Sequence, residues 1–222
     1  GTTAVAQYVF ALLLEICHHV GAHDQAVKAG DWSKQPDFCF WKYPLIELSG
    51  KTMGIVGMGR IGKATARIAS SLGMQVVAYD QFPNSLSEEA VFQYVDWDTL
   101  LQQSDVITLH CPLTPATQGI INKRTIARMK TGAILLNTAR GPLVEEHDIA
   151  EALCQEKLYA YGADVATVEP IPADSPLLTA PRCILTPHIA WASLESRQRL
   201  MRIAVDNLAS FLAGVPKNTV TD

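Results

Sequence analysis

No basic cluster longer than Lys123-Arg124 occurs in this chain of 222 residues, and its net charge is −4. Phosphate backbones are met with clustered positive charge, so a nucleic-acid partner is not expected. Long apolar runs are missing as well. The longest, Tyr8 to Leu14, stops at Glu15, well short of the roughly 20 residues that cross a bilayer. It also lacks the basic flank of a secretory leader, so no membrane partner is expected. The five cysteines, Cys17, Cys39, Cys111, Cys154 and Cys183, never form Cys-x-x-Cys. Odd in number and scattered, they suggest reduced thiols in a cytoplasmic protein rather than a disulfide frame or a zinc site. His18, His19 and His23 lie close together, but no Asp or Glu completes a ligand set with them, and no metal site is expected. There is no internal repeat, low-complexity tract or Gly/Ser linker. With 48% hydrophobic and 18% charged residues, the composition is that of a soluble globular protein with one domain's core.

What the chain does carry is Gly57-Met58-Gly59-Arg60-Ile61-Gly62 in a telling context. Lys51 to Val56 reads as a short buried strand and Ile61 to Leu72 as a helix. A second apolar run, Gln75 to Tyr79, ends in Asp80, 18 residues past the last glycine. Strand, glycines, helix and acid together make a dinucleotide-binding β-α-β unit. Gly57 permits the tight turn, Gly59 leaves room for a pyrophosphate, and Gly62 lets helix and strand pack closely. The helix N-terminus offers free N–H groups to the phosphates. Asp80 would accept hydrogen bonds from the ribose hydroxyls and repel the extra phosphate of NADP, so the expected cofactor is NAD. The plainer alternative is a glycine turn in an ordinary α/β protein, with Asp80 a strand-end acid.

The alternation continues down the chain. Trp97 to Gln102 reads as a short helix, Asp105 to His110 as a strand, Asn122 to Arg128 as a helix and Ala133 to Asn137 as a strand. Glu145 to Glu156 is helical, and Tyr159 to Val165 and Cys183 to Thr186 are strands. This pattern predicts a Rossmann-type α/β fold: a doubly wound parallel sheet with helices on both faces. Residues 1–222 read as one NAD-binding domain, with a helix and arm over 1–50, a Rossmann core over 51–190 and a C-terminal helix and tail over 191–222. Residues 3–20 predict a single helix, apolar nearly all round, which suggests a subunit interface. The aromatic stretch over 30–50, with Trp32, Phe38, Phe40, Trp41 and Tyr43, has no periodicity and predicts packing against a partner subunit. The last helix is expected from an N-cap at Ser193 to about Ala213, with Leu200, Ile203, Ala204, Asn207, Leu208 and Phe211 along its seam.

Three segments place polar residues at strand ends: Asn137-Thr138-Ala139-Arg140-Gly141-Pro142, Asp164 through Glu169-Pro170, and Thr186-Pro187-His188-Ile189-Ala190-Trp191. In such a sheet they converge on the cofactor crevice. A carbonyl reduced by hydride needs a proton, and His188 is the natural donor near neutral pH. Glu169 would hold the ring, and Arg140 would grip a substrate carboxylate with two parallel hydrogen bonds. Each residue taken alone has a plainer alternative: a surface arginine, a turn acid, a core histidine. Cys111 either fills a small buried space or touches a ligand, and Trp191 is either a site residue or a packing aromatic.

With these segments, and with His110-Cys111-Pro112-Leu113-Thr114, the chain resembles the D-isomer-specific 2-hydroxyacid dehydrogenases over nearly its whole length. The resemblance implies that Arg140 binds substrate, that Glu169 supports His188, and that His188 is the acid/base. It implies cofactor contacts at Arg60, Ile61, Asp80, Pro112, Thr117, Thr138, Arg140 and Asp164, the last to the nicotinamide carboxamide. Cys111, Ala139 and His188 lie in the same matching segments and are counted with them. Asp37-Phe38-Cys39-Phe40-Trp41 and His188-Ile189-Ala190-Trp191-Ala192 look like the glycerate dehydrogenase, or hydroxypyruvate reductase, branch. The resemblance thus implies an NAD-dependent oxidoreductase acting on a small 2-keto or 2-hydroxy acid, as a cytoplasmic homodimer. Members of the family carry a second, substrate-binding domain built mostly from residues before the cofactor domain. This chain begins where that domain should hand over, so it is expected to bind NAD(H) with little or no turnover of its own. Two alternatives stay open: a cofactor-sensing, corepressor-like interaction protein on the same fold, and an amino-acid dehydrogenase. The second would need a lysine that none of the three segments contains.

Overall fold

The computed structural model describes residues 1–83 and 91–220. Seven strands form one parallel sheet: β1 (Thr52–Val56), β2 (Gln75–Tyr79), β3 (Gln93–Tyr94), β4 (Val106–Leu109), β5 (Ala133–Asn137), β6 (Leu158–Ala163) and β7 (Cys183–Leu185). Their order is β3-β2-β1-β4-β5-β6-β7, with every pairing parallel. The winding reverses between β1 and β4, and the crevice outside the carboxyl ends at such a reversal is where ligands of this fold sit. Among the described residues seven α-helices accompany the strands: α1 (Thr2–His18), α2 (Val20–Lys28), α3 (Arg60–Ser71), α4 (Trp97–Gln103), α5 (Lys123–Arg128), α6 (Glu146–Cys154) and α7 (Leu194–Leu212).

Successive strand residues feed two cores, one on each face. Met53, Ile55, Val106, Ile134 and Leu136 pack with Val9, Leu12, Leu13 and Ile16 of α1 and with Ala66 and Ala69 of α3. Val56, Ile107, Leu109, Leu135 and Tyr161 pack with Leu100, Ile126, Ile149 and Leu153 from α4, α5 and α6. Both faces are therefore buried, which is why β4 (Val-Ile-Thr-Leu) and β5 (Ala-Ile-Leu-Leu-Asn) are largely apolar instead of alternating.

Three expectations need correction. The helix expected over 3–20 ends at His19, whose left-handed backbone (φ 49°, ψ 43°) donates its N–H back to Glu15 O, and α2 departs at a 54° bend. The apolar stripe of α1 is buried against the sheet and α3. The two-residue β3 was absent from the expected strands. The seam expected along α7 is exposed, with Leu200, Ile203, Leu208 and Phe211 all at the surface. The Ser193 cap is where the sequence placed it, its hydroxyl accepting the Ser196 N–H.

The aromatic stretch carries one 3-10 turn, Trp32–Lys34, and is fastened locally. Trp32 Nε1 donates to Phe38 O at 2.9 Å, Lys42 pairs with Asp31 at 2.6 Å, and the Lys42 N–H donates to His23 Nε2 at 3.2 Å. Among the described residues no single helix is long and apolar enough to cross a membrane. The α1–α2 pair reaches that length only across its bend, and α1 is buried against the sheet.

Candidate active site at the carboxyl edge of the sheet

The glycine turn is shaped by close approach. Gly57 has φ +96°, and a Cβ there would lie 2.5 Å from Cys111 N, so β1 and β4 leave no room for a side chain. A Cβ on Gly62 would meet Gly57 O at 2.2 Å, which is how α3 starts hard against the turn. A Cβ at Gly59 would meet nothing within 4 Å, and among the described residues no side chain caps α3, so the first-turn N–H groups of Arg60 and Ile61 have no partner among them. Gly57, Gly59, Asp80, Pro112 and Thr117 line a cleft of about 420 Å³. Asp80 is committed to the turn as well as open to the cleft: its carboxylate accepts the Met58 N–H at 2.7 Å and the Phe82 N–H at 2.9 Å. Thr117 organises the cleft's far wall, donating its hydroxyl to Pro112 O and accepting the Thr114 N–H.

Beyond the turn, Ile61, Cys111, Pro112, Thr138, Ala139, Arg140, Asp164 and His188 surround a cavity of about 620 Å³. Burial pushes the Cys111 thiol up to about 11, so it stays protonated as an apolar wall. His110, on the same wall, is pushed down to about 4 by burial and stays neutral. Thr138 Oγ1 is buried in this wall without a hydrogen-bond partner among the described residues. A buried hydroxyl left so suits a polar ligand atom in the cavity. An open glycine, a free helix N-terminus, an acid at the second strand's end and an orphaned threonine hydroxyl together fit a dinucleotide.

The three strand-end segments do meet. His188 Nδ1 lies 2.7 Å from Glu169 Oε2, while Glu169 Oε1 accepts the Ala166 N–H at 3.0 Å. Partial desolvation works to raise the Glu169 carboxyl. The hydrogen bonds from His188 and Ala166, with the charges of His188 and Arg140, outweigh it and hold the carboxyl below its usual range. His188 has a left-handed backbone (φ 56°), and its neighbours keep it there. Thr186 Oγ1, the Ile189 N–H and the Ala190 N–H all donate to Asp164, at 2.6, 2.9 and 2.7 Å, and Trp191 Nε1 donates to His188 O at 2.9 Å. Asp164, expected to face the cofactor, is thus also the buried anchor of the histidine loop. Arg140 shares the 620 Å³ cavity with His188, and its Nη1 rests on Ala139 O at 2.7 Å. A second cavity of about 610 Å³ lies along Glu169 and His188, walled by Pro170, Ile171, Leu178, Leu185 and Pro187.

The roles of two residues escaped the sequence reading. Asn137, named there only as the start of a strand-end segment and fully buried, donates to Arg140 O and accepts the Ala139 N–H, which shapes the arginine turn. A lone amide closing an otherwise apolar strand was its signal. Glu146 binds the Thr167 N–H and the Ser175 hydroxyl beneath the Glu169 loop. Nothing in the sequence separates it from the other acids at the start of α6.

Residues 10–190 match the family described as D-isomer specific 2-hydroxyacid dehydrogenase, NAD binding domain. The chain belongs to the D-isomer-specific 2-hydroxyacid dehydrogenases. It is 59% identical to a hydroxypyruvate reductase of Blautia hydrogenotrophica over 99% of this chain and 68% of that protein. It is 42% identical to a glycerate dehydrogenase of Methylorubrum extorquens, over 97% of this chain and 67% of that one. A crystal structure of D-lactate dehydrogenase with NAD+ from Lactobacillus jensenii superimposes with a TM-score of 0.84 at 31% identity, covering the whole of this chain and 69% of that one. The dehydrogenase match begins within α1 and ends at Ala190, so it takes in the glycine turn, the arginine turn and the histidine loop. NAD is the cofactor of this dehydrogenase domain.

Proposed function

We propose that this chain carries the catalytic half of an NAD-dependent reductase of small 2-keto acids, with hydroxypyruvate and D-glycerate as its substrate pair. The carrying observation is the 2.7 Å contact between His188 and Glu169 on the wall of the cavity that Arg140 and Thr138 share. Gly59, Arg60, Ile61, Gly62, Asp80, Pro112, Thr117, Thr138 and Asp164 would hold the dinucleotide, which supplies the hydride when bound. With Nδ1 turned to Glu169, His188 presents Nε2 to the cavity and exchanges a proton with the substrate oxygen there. Arg140 binds the substrate carboxylate and turns its carbonyl towards His188. Glu169 keeps the ring oriented through the 2.7 Å contact with Nδ1. Hydroxypyruvate is preferred because the two relatives named as hydroxypyruvate reductase and glycerate dehydrogenase share 59% and 42% of their matched residues with this chain. The exposed aromatics of the arm, Phe38 and Trp41, are the contact of a homodimer.

The His188 and Glu169 side chains are 43% and 40% exposed, so the chain alone does not shut water out of the site. NADH absorbance is therefore followed with hydroxypyruvate, glyoxylate and pyruvate for two proteins, each beside His188→Ala. One is the chain itself; the other is the chain joined to the remaining third of the Blautia hydrogenotrophica relative. Fast, His188-dependent oxidation with hydroxypyruvate is expected from the joined protein, and slow or no oxidation from the chain alone. Loss of His188 should lower the rate by about 10²–10⁴-fold. Tight NADH binding without turnover of any 2-keto acid by the joined protein would overturn the reading.

A further inference from the structure

The peptide unit between Ala166 and Thr167 is gripped from two sides. Gly141, the residue after Arg140, packs against it so closely that a Cβ there would lie 2.0 Å from the Ala166 carbonyl and 2.4 Å from Thr167 N. From the first turn of α6, Glu146 Oε1 accepts the Thr167 N–H at 2.7 Å, and its Oε2 accepts the Ser175 hydroxyl at 3.2 Å. One residue back, the Ala166 N–H donates to Glu169 Oε1, whose other oxygen meets His188. The Glu146 carboxylate makes no ion pair among the described residues, so its contacts here are to two neutral donors. It sits deep enough to be felt at β7, where burial, with the Glu146 charge adding to it, pushes the Cys183 thiol up to about 12.

We propose that Glu146 is a positioning residue for Glu169: it fixes the Ala166–Thr167 peptide so that the Ala166 N–H faces the Glu169 carboxylate, and so sets how His188 is held. A loop carboxylate can keep one geometry only where its backbone donors are themselves held. Here the loop between β6 and β7 has two such restraints: the Gly141 contact, which ties it to the arginine turn, and Glu146, which ties it to α6. The inference deepens the reading of Glu169 and His188 as an acid–base pair. It rests on that reading for its catalytic consequence alone.

Charge and position predict opposite signs, which makes the test sharp. Glu146 and Glu169 are both acids, so deleting a mere neighbouring charge favours ionised Glu169 and lowers its titration. Deleting a positioning group frees the Ala166 N–H, removes a hydrogen bond from the ionised form and raises it. The Glu169 side-chain carboxyl is titrated by carbon-13 NMR in the wild type and in Glu146→Ala, Glu146→Asp, Glu146→Gln and Ser175→Ala. Upward shifts are expected in Glu146→Ala, and in Glu146→Asp, which keeps the charge but shortens the reach. Glu146→Gln keeps an acceptor for the Thr167 N–H, so Glu169 should stay at or below its wild-type titration. Ser175→Ala, which leaves the Thr167 contact in place, should not move it. A downward or absent shift in Glu146→Ala overturns the proposal. Should that variant fail to fold, the absence of an upward shift in Glu146→Asp does the same. In turnover, the Glu146→Ala loss should fall on kcat rather than on KM for NADH. If neither the joined wild-type protein nor its variants turn over a 2-keto acid, the functional reading fails while the titration still decides the positioning.

Discussion

The carboxylate of Asp80 accepts two backbone N–H groups, one from Met58 inside the glycine turn and one from Phe82 just beyond β2. An ionised carboxylate has about four acceptor sites, so two remain for ribose hydroxyls in the 420 Å³ cleft. Asp80→Ala should therefore do two kinds of damage. It removes direct hydrogen bonds to the cofactor, and it releases the turn that approaches the pyrophosphate. Each charge-assisted bond is worth about 1.5–3 kcal/mol, so NADH affinity should fall roughly 10–100-fold for each bond lost. NADPH, which the Asp80 charge repels, should lose less, and the preference between the two should narrow. Titration calorimetry with both nucleotides reads this directly. Wild-type protein that binds NADPH more tightly than NADH would refute the role given to Asp80. Both halves of this role were unequally legible. The acid's place after the second strand is what suggests a ribose contact. Its grip on Met58 N depends on a turn 22 residues away folding back, which residue spacing does not encode. Asp164 repeats the lesson, since its three donors lie 22 to 26 residues further on.

At the scale of elements, two apolar helices with similar patterns have opposite fates. In α1, Leu13 is fully buried between the sheet and α3, whereas in α7 Phe211 is 67% exposed. Leu13→Ala should cost about 2–5 kcal/mol, for lost transfer energy and for the cavity left behind. Phe211→Ser should stay within about 0.5 kcal/mol, because it empties no packed space. Urea unfolding reads the contrast as a lower midpoint with an unchanged slope for Leu13→Ala alone. Equal costs would mean that α7 is packed in solution. Apolar spacing predicted both helices because spacing reports a helix with an apolar side, whatever covers it. The strands were legible for a stronger reason: β4 and β5 are buried on both faces, which makes them largely apolar rather than alternating, with Thr108 and Asn137 the polar exceptions. The break at His19 had no such signature. A left-handed histidine between two helical stretches looks like any other helical residue until its backbone angle is known. The two-residue β3 is below the length at which alternation can be recognised.

For the molecule as a whole, the unpaired apolar surface decides how many chains assemble. Much of the apolar surface of α1 is buried inside the chain, and we place the dimer contact on the arm over 30–50. There Phe38 is 83% and Trp41 is 67% exposed, on a segment held in place by the Lys42–Asp31 pair and the bond from Lys42 N to His23. Rings presented on a fastened segment lose little conformational entropy on docking, which suits a specific interface better than a loose tail does. A stable interface hides about 800 Å² per partner, more than two rings supply, so the surrounding arm must dock with them. Light scattering at micromolar concentration should give twice the mass of one chain. The double substitution Phe38→Asp with Trp41→Asp should halve it while leaving the thermal midpoint of the core and NADH affinity close to wild type, because neither residue belongs to the two cores or lines the cofactor cleft. A wild-type chain that runs as a clean monomer would refute the dimer. A dimer that survives the double substitution would place its interface elsewhere, with the exposed apolar residues of α7 the next surface to alter.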